Sequence, residues 1–218
     1  MGYHRAGFDV VGIDIEPQKR YPFEFHQADA RDYVARHWRE FDAIHASPPC
    51  QAHTSLKSMP NAKEHFDFIP ETRRLLIATG LSWVIENVVG APLIDPIMLC
   101  GTMFGLRTND GRGELRRHRL FETSFVVGLL PSCQHGRTAQ TICVCGHDGT
   151  ARGNQRQSRS VGVYGGSGGG STRNGYEQYR VSDRREAMGI DWMTNAELTQ
   201  AIPPPYTEFV GRKLLQYI

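Results

Sequence analysis

Residues 7–15, GFDVVGIDI, form an apolar run rich in β-branched side chains that ends in an acid. That is the pattern of a strand buried on both faces, as strands of parallel sheets are. The residues that follow decide the fold. RDYVARHWREF (31–41) has helical spacing, and DAIHASPP (42–49) reads as another strand. PETRRLLIATG (70–80) predicts a helix closed by Gly80, and SWVIENVVG (82–90) a further buried strand. Strands alternating with helices predict an open α/β sheet with ligands bound at the carboxyl ends of its strands. Two chemically rich stretches fall at such ends: Cys50 behind the Pro48-Pro49 step, and the pair Glu86-Asn87.

The chain of 218 residues can hold one sizeable core with a small appended lobe. No apolar run approaches the roughly 20 residues of a membrane span. The opening residues lack the charged-then-apolar layout of a signal peptide. The expectation is a cytoplasmic monomer with no membrane partner. Five cysteines in no evident disulfide framework favour reduced thiols. The net charge of +2 hides an asymmetry: residues 107–185 carry 13 arginines against six acids, about +7. A basic middle on a near-neutral chain suits an anionic partner such as nucleic acid, and equally a solvated Arg-rich loop.

Composition divides the chain into three stretches. Residues 1–130 carry the α/β alternation. Residues 131–180 are basic and rich in Gly, Ser and Gln, with little apolar periodicity. YGGSGGGSTRNG (164–175) has no following Gly-Lys-Ser/Thr, so it is read as a flexible loop and not a phosphate-binding one. Order returns over 181–218. There Thr194 or Asn195 would cap a short helix at AELTQAI, Pro203–Pro205 would break it, and TEFVGRKLLQYI would form a final helix.

A thiolate is a strong nucleophile toward an electron-poor carbon. A carboxylic acid beside an aromatic nitrogen can protonate it and make the ring more electrophilic. Arginines hold phosphates or carbonyl oxygens with forked hydrogen bonds. Cys50, Glu86 and the arginines of RRHRLFE (116–122) together suit covalent attack on a pyrimidine of a nucleic acid.

SPPCQAHT (47–54), WVIENVVGAPL (83–93) and RRHRLFE resemble, in order and spacing, the Pro-Cys, Glu-Asn-Val and Gln-x-Arg-x-Arg motifs of the cytosine-carbon-5 DNA methyltransferases. MLCGTMFGL (98–106) and the tail from AMGIDWM to AIPPPYTEFVG look like the short phage-type members. The resemblance implies a Rossmann-like, S-adenosylmethionine-dependent methyltransferase sheet over 1–130. It makes 131–180 a small target-recognition region and returns 181–218 to the catalytic domain. It implies that Cys50 attacks carbon 6 of a cytosine flipped out of double-stranded DNA. Glu86 would then act on ring nitrogen 3, Asn87 would orient the loop, and Arg117 and Arg119 would contact the target nucleotide. Leu115 stands where the family has its leading Gln. Cofactor contacts are implied for Asp14 and Ile15, for Asp29 and Ala30 in HQADARD (26–32), and for Pro48. On residue type alone, an acid after a strand also suits a helix cap, and this holds for both aspartates.

The family pattern opens with a strand and a Phe-x-Gly-x-Gly turn that cradles the methionine part of the cofactor; no such turn occurs in these residues. The family fold sets that strand between VVGID and DAIHASP, so its loss would remove a cofactor wall and a core element. Two further readings follow: a truncated remnant that binds nucleic acid without transferring methyl groups, and an RNA cytosine methyltransferase. Separately, Cys133, His135, Cys143, Cys145 and His147 lie within 15 positions and form a candidate structural zinc site. Cys100, in an apolar run, is read as structural.

Overall fold

The computed structural model describes residues 1–53, 65–111, 113–135, 140–142 and 180–218. It is a mixed α/β protein. A short helix α1 (Gly2–Ala6) leads into β1 (Val11–Asp14) and β2 (Glu24–Gln27), followed by α2 (Ala30–His37) and β3 (Ala43–Ala46). Then come α3 (Ile69–Thr79), β4 (Ser82–Asn87), β5 (Ile97–Leu99), β6 (Gly113–Leu115), β7 (Arg119–Thr123) and β8 (Gln140–Ile142). Three helices close the order: α4 (Val181–Met188), α5 (Asn195–Gln200) and α6 (Pro204–Leu214).

The main sheet has the order β3-β4-β7-β5. β3 and β4 run parallel around the α3 crossover, and β7 runs antiparallel to both β4 and β5. β4 is one of its two inner strands, and all but its first residue is buried. Val84 packs with Phe121, Leu99, Tyr206 and Val210 toward α6, while Trp83 and Ile85 pack with Leu76 of α3. Helices thus cover both faces, which is why this strand reads as a continuous apolar run. A smaller cluster of Leu115, Ala187, Met188, Ile190 and Leu198 joins β6 to α4 and α5.

β1 and β2 form a separate parallel pair. Their connection is only residues 15–23 and contains no helix. Tyr21 of that connection packs so closely over Gly12 that a Cβ there would run into its ring. Among the described residues no ladder joins β1 to β3, and each pairs along one edge only. Both strands are half-buried at every position despite their apolar sequences. The α/β alternation is therefore present, but the described strands do not form one continuous sheet.

Two further expectations change. Pro204 and Pro205 open α6 rather than merely ending α5; a proline costs nothing in the first helical turn, where its missing N–H would have no partner. β2 was not foreseen, because three of the four residues of EFHQ are polar. Thr194 is the cap of α5, in a reciprocal capping box with Glu197. Among the described residues no helix is long and apolar enough to cross a membrane.

Glu122 of β7 ties the back of the sheet together. Arg73 Nε donates to its Oε1 at 2.6 Å and an Arg73 terminal nitrogen to Oε2 at 2.7 Å, while the Ile94 amide also donates to Oε2. Losing one member of such a buried pair strands the other charge. Glu122→Gln is expected to lower unfolding stability by about 3–5 kcal/mol in a denaturant titration, whereas exposed Arg74→Gln should change it by less than about 0.5 kcal/mol.

Candidate active site and metal-ligand cluster

The site grows from the ends of β3 and β4. Two prolines after Ser47 deprive the chain of amide donors and fix its course. Cys50 then starts a single 3-10 turn (Gln51–His53), with the His53 amide donating to the Cys50 carbonyl at 2.9 Å. Asn87, at the end of β4, donates from Nδ2 to the Pro48 carbonyl at 2.9 Å, and its Oδ1 accepts from the Val88 amide at 2.9 Å. One buried amide therefore fixes the turn leaving β4 and the loop that carries the thiol. Cys50 is a partly buried free thiol.

Glu86 is 5% exposed and points to the α6 side of the sheet, the same side as Val84. Arg119 Nε lies 3.1 Å from its Oε1. Burial pushes the Glu86 carboxyl above its ordinary value, while Arg119, Arg117 and a hydrogen bond from Ser47 pull the other way. Arg117 is 1% exposed. Burial, and then Arg119, bring its guanidinium down to about 9, with Glu86, Tyr206 and Cys50 acting in the opposite sense. It remains charged at pH 7. An Arg117 terminal nitrogen donates to the Thr199 carbonyl at 2.8 Å, and the Tyr206 hydroxyl donates to the Arg117 carbonyl at 2.6 Å. Of the five residues expected from sequence, Glu86 pairs with Arg119, Asn87 fastens the loop that carries Cys50, and Arg117 lies within electrostatic reach of Glu86, Arg119 and Cys50.

A chain of polar groups behind Glu86 was not foreseen. The Tyr3 hydroxyl is 2.8 Å from His45 Nδ1, and His45 Nε2 is 3.1 Å from Ser47 Oγ. Burial holds His45 down to about 4, so the ring is neutral at pH 7. With Tyr3 donating to Nδ1, the Nε2–H donates to Ser47, whose hydroxyl then donates to Glu86. The residues lie in three separate segments, so no local spacing announces them.

The acids proposed for a cofactor have local partners. Asp14 accepts from the Glu16 amide at 2.9 Å and from Gln18 Nε2 at 3.1 Å, which makes it a turn cap. Asp29 is the N-cap of α2, accepting from the Arg31 amide and the Arg31 side chain, and these bonds hold its carboxyl down to about 2. The Ala28 amide donates to the Asp14 carbonyl, so both acids stand at the same end of the β1–β2 pair. Each carboxylate has further lone pairs available. Ile15 is exposed, and Ala30 is the first residue of α2. Pro48 contributes its carbonyl to Asn87. An open recess of about 430 Å³ runs along β1, β2 and α2, lined in part by Val11, His26, Tyr33 and Phe41, and includes none of Cys50, Glu86 or the arginines.

Two of the five expected metal ligands fall in a cluster with two other residues. Cys133 and His135 do come together, but with Cys100 and His118, and the four ligand atoms lie within 4.8 Å of one another. These four residues could hold a metal ion. Cys100 was read as merely structural. Cys143, Cys145 and His147 lie outside the described residues, as do 136–139 and 143–179 of the expected recognition region. A pairing argument could have found the other two ligands: β5 and β7 pair Leu99 with Arg119, and one step further sets Cys100 opposite His118.

No protein-family model matches the chain, and no curated protein is significantly similar to it.

Because the folded protein holds His45 neutral, the unfolded chain binds more protons between about pH 6.5 and about 4. Stability is therefore expected to fall as the pH drops through that window. His45→Gln should flatten this part of a plot of thermal midpoint against pH.

Proposed function

We propose that the protein is a cytosine-5 DNA methyltransferase with Cys50 as its nucleophile. The observation that carries the reading is the placement of a loop-borne thiol, a buried acid, the buried Arg117 and the partly buried Arg119 within electrostatic reach of one another, with the bonds Asn87–Pro48 and Arg119–Glu86 fixing the loop and the acid. The Cys50 thiolate adds to carbon 6 of a flipped cytosine, forming a sulfur–carbon bond as the 5,6 double bond opens. Glu86 delivers a proton to ring nitrogen 3, so charge does not build up on the ring. A carboxyl whose pKa is raised by burial suits that task. Arg119 holds the Glu86 carboxyl in place, and Arg117 presents a fixed cation beside the ring. When bound, S-adenosylmethionine would supply the electrophilic methyl group that carbon 5 attacks, its sulfur–methyl bond breaking to leave S-adenosylhomocysteine. Loss of the carbon 5 proton to a base then restores the double bond and expels the Cys50 thiolate, and the nitrogen 3 proton returns to Glu86.

Asp14 and Asp29 fit the ribose and adenine ends of that cofactor in residue type, in strand-end position and in spare acceptor capacity. The described residues offer no glycine turn for its methionine end, and the open edges of β1 and β3 favour a second reading. In that reading the protein binds nucleic acid and adds Cys50 to the ring without delivering a methyl group. A Rossmann-like sheet and the basic 131–180 stretch as the recognition element belong to the same proposal.

Incubation of the full chain with tritiated S-adenosylmethionine and a pool of random duplexes, followed by digestion to nucleosides, tests it. The expected product is labelled 5-methyldeoxycytidine, absent with Cys50→Ser although that variant still binds DNA. Label in tRNA alone would make the substrate RNA. Glu86→Gln should slow turnover by about 10²–10⁴. The wild-type rate should decline as pH rises through the Glu86 pKa, where the proton is lost. Wild-type protein that is folded, binds DNA and transfers nothing would support the second reading.

A further inference from the structure

A second, independent centre lies on the other side of β7. Along an extended chain neighbouring side chains point to opposite faces. Arg117 and Arg119 turn toward Glu86, so His118 between them turns away. It meets Cys100, the residue just past β5, because the β5–β7 register carried one pair further sets them opposite. Cys133 and His135, two apart in sequence, complete the group.

The distances have the scale of a coordination shell. Cys133 Sγ lies 2.9 Å from His135 Nε2 and 3.5 Å from His118 Nε2, and Cys100 Sγ lies 3.4 Å from His135 Nε2. With metal–sulfur bonds of about 2.3 Å and metal–nitrogen bonds of about 2.0–2.1 Å, a zinc tetrahedron has sulfur–nitrogen edges of about 3.5–3.6 Å. The two imidazoles are nearly perpendicular, at 71°, so their nitrogens reach one point without stacking. Thr102 Oγ1 lies 3.3 Å from the Cys100 sulfur and 3.7 Å from that of Cys133, placed to donate to a thiolate. Gly101 lets this turn press against Leu115, since a Cβ there would overlap the Leu115 backbone.

We propose that Cys100, His118, Cys133 and His135 bind one zinc ion, which fastens the chain at 133–135 to the end of the β5–β7 ladder, beside Arg117 and Arg119. Two thiolates and two neutral imidazoles in tetrahedral array suit zinc. Four protein ligands leave no open position, so the site is structural. Two thiolates balance the dication, so the ion brings no net charge into a region whose Cys100 sulfur is wholly buried. This inference does not depend on the methyl-transfer reading.

The full chain, purified under reducing conditions and loaded with zinc, is analysed for metal after gel filtration. About one zinc per chain is expected, and cobalt in its place should give the intense visible bands and thiolate charge-transfer band of a tetrahedral two-sulfur site. Cys133→Ser and His135→Ala, both at accessible positions, should lose the metal while keeping their circular dichroism. The combined Cys143→Ser, Cys145→Ser and His147→Ala variant should retain it. Added zinc should raise the thermal midpoint of the wild type but not that of His135→Ala. Metal-free wild-type protein, zinc retained by both single variants, or zinc lost only from the combined variant would each overturn the assignment.

Discussion

The hydrogen bond from the Asn87 side chain to the Pro48 carbonyl ties the site to the fold. A loop with two prolines has few amides with which to fasten itself, so its position must be set from outside. Among the described residues β4 is the most buried strand, held by α3 on one face and α6 on the other, and is therefore a rigid post. Asn87 at its tip extends that rigidity to the thiol loop. Glu86, one residue earlier, faces the arginines across the sheet. A site that must hold a nucleophile and an acid in fixed relation gains from having both set by the same strand end.

β7 does comparable work on the opposite flank. Its alternating side chains serve three purposes: Arg119 engages Glu86, Phe121 fills the core beneath α6, and Glu122 locks Arg73 on the far face. The residue before the strand, His118, reaches the cysteine-histidine cluster. A shift of the β4–β7 register by one residue would turn every one of these side chains to the wrong face. Glu86 is paired with the partly buried Arg119, and buried Arg117 is supported by Glu86 and by Thr199 and Tyr206, which bond its side chain and carbonyl respectively.

Much of this could be read from the residues. β4 was legible because a strand buried on both faces is apolar throughout, and α3 because Gly80 marks its end with a left-handed turn. Cys50, Glu86 and Arg119 were legible because each belongs to a short local motif. β2 was not, because a strand half exposed beside a helix-free connection carries no clear alternation. The prolines before α6 misled because a proline stops one helix and starts the next by the same fixed φ. The Tyr3–His45–Ser47 chain and the Cys100–His118 pair arise from tertiary placement and strand register, which no window of neighbouring residues contains.

The central claim is that Cys50 adds to carbon 6 of a cytosine ring, and it can be tested without any methyl donor. A duplex pool in which 2-pyrimidinone replaces cytosine presents a ring that lacks the 4-amino group and is more readily attacked at carbon 6. Incubated with the full chain, it should yield a protein–DNA adduct that survives denaturant, with peptide mapping locating the link on Cys50. An adduct on another cysteine, or none from folded protein that binds the duplex, would contradict the account.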